Sequence, residues 1–200
     1  LRERMFRIVT GICMVALIFI LPMGRSVLNM AILAASLVAM SEIVKLSIRR
    51  QCIHKGATAI TVLLLLVFPI SFFTAGGFYS GMPEWFVFCF IYICITLEGK
   101  RRVVFSTLCT VETLLCYGID FYFPEFVARN TQGRFFMDSA FSVVMVGLLA
   151  SVLLMFLNKM YEEENERSRQ QKKEIEELSR AENHFFSSMS HEIRTPINTI

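Results

Sequence analysis

Two hundred residues with 54% apolar content, 18% charged content and a mean hydropathy of +0.55 do not describe a soluble globule. The 19 Phe and 11 Met, against only 5 Pro, are more apolar surface than one core of this size can hide, so most of the chain belongs in lipid. A secreted protein, a disordered tail and a soluble single-domain enzyme are excluded, and the net charge of +3 decides little beside its placement: nine of the 17 acidic residues lie within 161–200.

A helix needs about 20 mostly apolar residues to cross roughly 30 Å of hydrocarbon at about 1.5 Å per residue. In chain order, six segments qualify: 6–23, 27–46, 57–76, 83–99, 103–122 and 136–158. The first is not a cleaved signal peptide, because no small-residue cleavage site follows Leu21-Pro22 and further spans come after it. In the third, Pro69 is placed to kink the helix and Gly76-Gly77 to end it. The expected fold class is all-α, with residues 1–158 forming a six-span transmembrane helical bundle.

Basic residues at the span ends set the orientation. With the N-terminus inside, Arg2, Arg4, Arg7, Lys45, Arg49, Arg50, Lys55, Lys100, Arg101 and Arg102 face the cytoplasm, against Arg25, Arg129 and Arg134 outside. Both termini are then cytoplasmic. Two aromatic groups read as interfacial anchors at the outer rim: Phe72, Phe73, Phe78, Tyr79, Trp85 and Phe86, then Tyr117, Phe121, Tyr122 and Phe123. The longest outer loop, 123–135, is too short to be a domain. Any signal is therefore read by the helices, by a pocket between them, or by lipid.

Among polar residues in the spans, Glu112 lies near the middle of the fifth, between Thr110 and Thr113. A carboxylate there is costly unless protonated, paired or facing a wet cavity, so it is either a sensing group or hydrogen-bonded to a neighbouring helix through Thr or Ser. Glu42 and Glu98 sit near inner span ends, where solvation suffices. Asn29, Ser36 and Ser41 read as helix–helix contacts rather than ligands. The six cysteines (Cys13, Cys52, Cys89, Cys94, Cys109, Cys116) form no C-x-x-C pair, and Cys52 with His54 has no second pair to complete a metal site. They read as small hydrophobes, with no metal and no disulfide framework.

From Ser151 to Thr195 there is neither Gly nor Pro, so the sixth span is expected to continue out of the membrane as one helix. Residues 159–184 form a charge-laced signalling helix with Glu163–Arg167 and Glu176–Arg180 in the favourable i,i+4 order. The 3–4 spacing of 175, 178, 182, 185 and 189 marks a weak two-stranded coiled-coil seam, suited to switching between two packings.

After that helix stands Phe185-Phe186-Ser187-Ser188-Met189-Ser190-His191-Glu192-Ile193-Arg194-Thr195-Pro196-Ile197-Asn198. This segment resembles, over its whole length, the phosphoacceptor box of bacterial membrane sensor histidine kinases of two-component systems. The resemblance implies that residues 185–200 begin a dimerisation and phosphoacceptor hairpin. His191 would attack the γ-phosphate of ATP, and a neutral imidazole with a pKa of about 6.5 has the free lone pair for it. Glu192 takes the family's acid/base role, holding the tautomer and stabilising the ring cation as it forms. Thr195, four residues on and so on the same helix face, takes the family's phosphatase position. Pro196 cannot donate to the carbonyl of Glu192, so the helix is expected to bend just below His191. Arg194 pairs with phosphate or with an acidic neighbour, His184 reads as an exposed helix residue, and Met189, Ile193 and Ile197 face the core of the dimeric bundle. From Asn158 to His191 a signal has about 50 Å of helix to travel.

The resemblance further implies a homodimer, a cytoplasmic response regulator as partner, and ATP with Mg2+ bound by a domain beyond residue 200. No Gly-x-Gly-x-x-Gly or Walker loop within the chain would cradle a nucleotide, and no nucleic-acid partner is implied. Starting at Leu1 and stopping inside the motif at Ile200, the chain reads as a piece of a longer protein in the bacterial inner membrane. One competing reading is a six-span transporter or channel with a coiled-coil oligomerisation tail, in which Glu112 is a coupling carboxylate. Another is a phosphorelay or adaptor protein with a degenerate kinase domain.

Overall fold

A computed structural model describes the backbone of residues 2–21 and 27–197, and the side chains of residues 3–21 and 27–182. Among the described residues every regular element is helical: α1 Arg2–Ile20, α2 Val27–Arg49, α3 Ile53–Ala75, α4 Met82–Thr96, α5 Gly99–Tyr122 and α6 Gln132–Ile197, with short 3-10 turns at Gly77–Tyr79 and Pro124–Phe126. The chain divides into two compact units, Leu1–Leu154 and Met155–Ile200.

The six helices follow the six apolar segments of the sequence. Four of them, α2, α3, α5 and α6, are long and apolar enough to cross a membrane. The other two fall short for different reasons. Helix α1 opens with Arg2, Glu3, Arg4 and Arg7, and Glu3 pairs with Arg7 one turn on. Helix α4 has 15 residues, not the 83–99 expected. It stops at Thr96 because Leu97 and Glu98 are extended and Gly99 takes φ +56, a left-handed value that suits glycine. The basic knot Lys100–Arg102, expected in a loop, forms the first turn of α5, and Arg102 Nε–H donates back to the Leu97 carbonyl at 2.8 Å.

In the first unit α3 is the central helix, packed against α1, α2, α4 and α5. Half of its most apolar window is buried, against 11% for α5, so most of the α5 surface is exposed. Leu108, Val111, Leu114 and Leu115 on α5, with Val143, Val144 and Leu148 on α6, are all exposed. An apolar belt of that extent fits a hydrocarbon solvent. Helix α2 ends in a Schellman motif, with Cys52 N–H on the Ser47 carbonyl (2.9 Å), Gln51 N–H on Ile48 (3.1 Å) and Gln51 at φ +53. The resulting tight hairpin brings Gly56 so close to the Ser47 side chain that no Cβ would fit between them, the small-residue packing usual in membranes. Helix α3 continues through Pro69 to Ala75, where Gly76 caps it at φ +133, as the glycine pair predicts.

The outer-rim reading of the first aromatic group is corrected. Phe72, Trp85 and Phe86 are core residues, at 0%, 1% and 2% exposure, because α4 lies inside the bundle and Trp85 Nε1–H finds Ser142 Oγ at 3.1 Å. Phe78, Tyr79, Phe121, Tyr122 and Phe123 are exposed, as anchors should be.

In the second unit the described side chains from Glu164 to Glu182 all lie open to solvent. The seam positions Ile175 and Leu178 are 65% and 70% exposed in the single chain. The side chains at positions 185 and 189 lie outside the described residues.

Candidate functional site

Helix α6 runs from Gln132 to Ile197; the stretch without Gly or Pro from Ser151 to Thr195 accounts for its continuation beyond the apolar segment, and its bounds take in the motif around His191. The side chains of His191, Glu192, Thr195 and Pro196 lie outside the described residues, as do those of His184, Met189, Ile193, Arg194 and Ile197. The sequence therefore still carries the phosphoacceptor assignment, and the bend at Pro196 remains an expectation.

Glu112 is described. It is half-buried on α5, and its Oε1 atom is buried without a hydrogen-bond partner among the described residues. The alternative, a hydrogen bond to a neighbouring helix through Thr or Ser, is not made by this atom among the described residues. Thr110 and Thr113 turn their hydroxyls onto their own helix, at the carbonyls of Ser106 (2.9 Å) and Cys109 (2.7 Å). Cys109 and Cys116 lie one turn to either side of Glu112, both buried, and Cys89 of α4 is buried as well. Soft, weakly donating thiols surround a carboxyl group that an ionised state would leave badly solvated. All six cysteines are free thiols, four buried, with Cys52 and Cys94 exposed. Among the described residues no group of three or more His, Cys, Asp and Glu is placed to hold a metal ion.

Asn29 bridges helices as expected, with Ser71 Oγ–H donating to its Oδ1 at 3.2 Å. Ser36 and Ser41 do not. Their hydroxyls donate to Leu33 and Val38 of their own helix, both at 2.7 Å, so Ser36 serves the α2 interface by being small and buried. Glu42 holds an exposed ion pair with Lys45 at 2.7 Å, the solvated outcome the sequence suggests, and Glu98 is exposed.

A second polar system was not visible in the sequence. At the end of α3, Asn130 Nδ2 donates to the carbonyls of Ala75 (2.9 Å) and Tyr79 (3.1 Å), and Ala128 N–H donates to Phe73 O (3.1 Å). The loop after α5 is thus strapped to the α3–α4 connection. Asp120 Oδ2 accepts the Phe78 N–H at 2.6 Å from the other side. Beside it, Ser139 of α6 donates to Glu84 Oε1 at 2.9 Å, while Glu84 Oε2 is buried without a partner among the described residues. Gly81 lies so near Asp138 O and Ser142 that a Cβ would collide with both. The sequence signals for this system were Gly76-Gly77, needed at φ +133 and +61, and four polar residues just outside or at the ends of apolar runs.

No protein-family model, curated protein or solved structure matches this chain. Its functional reading therefore rests on its own residues.

Proposed function

We propose that this chain is the membrane sensor and phosphoacceptor part of a homodimeric histidine kinase that passes phosphate to a cytoplasmic response regulator. The observation that carries the reading is the unbroken Ser190-His191-Glu192-Ile193-Arg194-Thr195-Pro196 sequence on the helix that follows the last apolar segment. The assignment of Gln132–Ile197 to one helix supports it, since a signal carried along the chain needs a structured element to travel through. His191 attacks the terminal phosphorus of ATP, supplied with Mg2+ by a domain beyond residue 200. A nitrogen–phosphorus bond forms as the bond to the ADP oxygen breaks. Glu192 steadies the ring as it becomes cationic, and Thr195 positions a water that hydrolyses the response regulator's aspartyl phosphate, releasing inorganic phosphate and the free carboxylate.

In this reading α1 and α4 complete six spans in the bacterial cell membrane, with both termini cytoplasmic. Helix α4 covers only about 22 Å at 15 residues. Its place inside the bundle makes this tolerable, since protein rather than lipid surrounds its ends. The test supplies the chain in membranes with its kinase domain and radiolabelled ATP. Acid-labile, base-stable label that disappears in His191→Gln supports the reading, and label persisting in that variant overturns it. One observation favours a second reading, a transporter or channel: Glu112 Oε1 has no hydrogen-bond partner among the described residues, which suits a coupling carboxylate. Solute flux without phosphohistidine would decide for it.

A further inference from the structure

A cleft of about 440 Å3 opens between the 3-10 turn at Gly77–Tyr79 and the C-terminal end of α5. Phe78, Tyr79, Tyr117 and Phe121 supply its walls, and Asp120 and Arg129 are its two charged residues. The walls are built rather than incidental. Phe78 stacks edge-on against Tyr117 at 5.7 Å and against Tyr79 at 5.6 Å, and Tyr117 packs back onto the buried Phe72 at 5.7 Å. The Asn130 strap and the Phe78–Asp120 hydrogen bond fix the turn that presents these rings. A pre-formed cleft of this size loses little order on binding, the condition under which a small molecule is held well.

We infer that this cleft binds a small zwitterion of the α-amino-acid type with an apolar side chain. An ammonium group is drawn to aromatic faces and to a carboxylate together. Asp120 accepts one hydrogen bond from Phe78, and a carboxylate has about four acceptor positions, so it keeps capacity for an ammonium donor. A guanidinium has five donors, which lets Arg129 take a carboxylate whatever else it engages. A simple amine can use only Asp120 of the two charged groups, and a simple acid only Arg129. The molecule that satisfies both carries both charges, with its apolar part against the rings.

The claim stands apart from the phosphotransfer reading, because it is tested by binding alone. The chain in lipid nanodiscs is titrated with phenylalanine, phenethylamine and 3-phenylpropionate, and binding is followed calorimetrically or by ligand-observed NMR. Saturable binding of phenylalanine is expected, with phenethylamine at least tenfold weaker and phenylpropionate weaker still. Asp120→Asn keeps an acceptor for the Phe78 N–H but removes the charge, so it should fold and lose phenylalanine affinity at least tenfold. Tyr117→Leu, which removes one wall, should also weaken binding. No saturable binding of phenylalanine in the millimolar range, equal binding of phenylpropionate, or unchanged affinity in a folded Asp120→Asn protein would each overturn the inference.

Discussion

Replacing Gly77 by Ala tests whether the strapped connection after α3 is as tight as its geometry states. Gly77 sits at φ +61, and a Cβ there would run into the Asp120 carboxylate and a Val127 methyl group. An L-residue in the left-handed region costs about 1–2 kcal/mol. Forcing a methyl group into filled space adds about 1–3 kcal/mol, since Asp120 is held by Phe78 and Val127 is buried. Reduced freedom of the unfolded chain returns about 0.4–1 kcal/mol. The net expectation is a loss of about 1–5 kcal/mol, read as an earlier transition in reversible unfolding from mixed micelles. Gly118→Ala is the internal control. Gly118 lies inside α5 with nothing near its missing Cβ, so alanine there should be neutral or stabilising by up to about 1 kcal/mol. If Gly77→Ala unfolds at or above the denaturant level of the parent, the turn is not built as described.

Other expectations concern the two ends of the molecule. His191→Gln should abolish phosphorylation while cross-linking still reports a dimer; loss of the dimer would make the residue structural. Thr195→Ala should spare the kinase reaction and weaken the phosphatase reaction, and equal loss of both in paired assays would count against its role. Reporters fused after Lys55 or Arg102 should read cytoplasmic and one after Gly81 external; a reversed pattern removes the site from ATP. Glu112→Leu should raise stability by about 1 kcal/mol, because it deletes a buried carboxyl oxygen that has no partner among the described residues; destabilisation in the same unfolding assay would reveal one.

Helix positions were legible from composition because apolar length is a local property, countable along the chain. The same count misplaced the α4–α5 boundary. Leu97 is apolar and falls within the span 83–99, yet its backbone is extended, and Gly99 rather than hydropathy decides where α5 begins. The aromatic residues show a related weakness. A tryptophan near the end of an apolar run reads as an interfacial anchor, and only the neighbouring Ser142, 57 positions away, makes burial of its indole N–H affordable.

Polar partnerships divide along the same line. Short-range ones, such as Glu42 with Lys45, follow from helical spacing. Asn29 with Ser71, Asp120 with Phe78, and Asn130 with Ala75 are 42, 42 and 55 residues apart, and no periodicity announces them. What the sequence does contain is the requirement they satisfy. Gly76 and Gly77 admit backbone angles that expose the carbonyls and amide of a tight turn, and each exposed group near lipid needs a partner from elsewhere in the chain. Asn130 and Asp120 meet that need, and in doing so they set the aromatic rings around a cleft. The cleft is thus a by-product of ending α3 sharply, which is why the glycine pair is the feature of the sequence that best marks it.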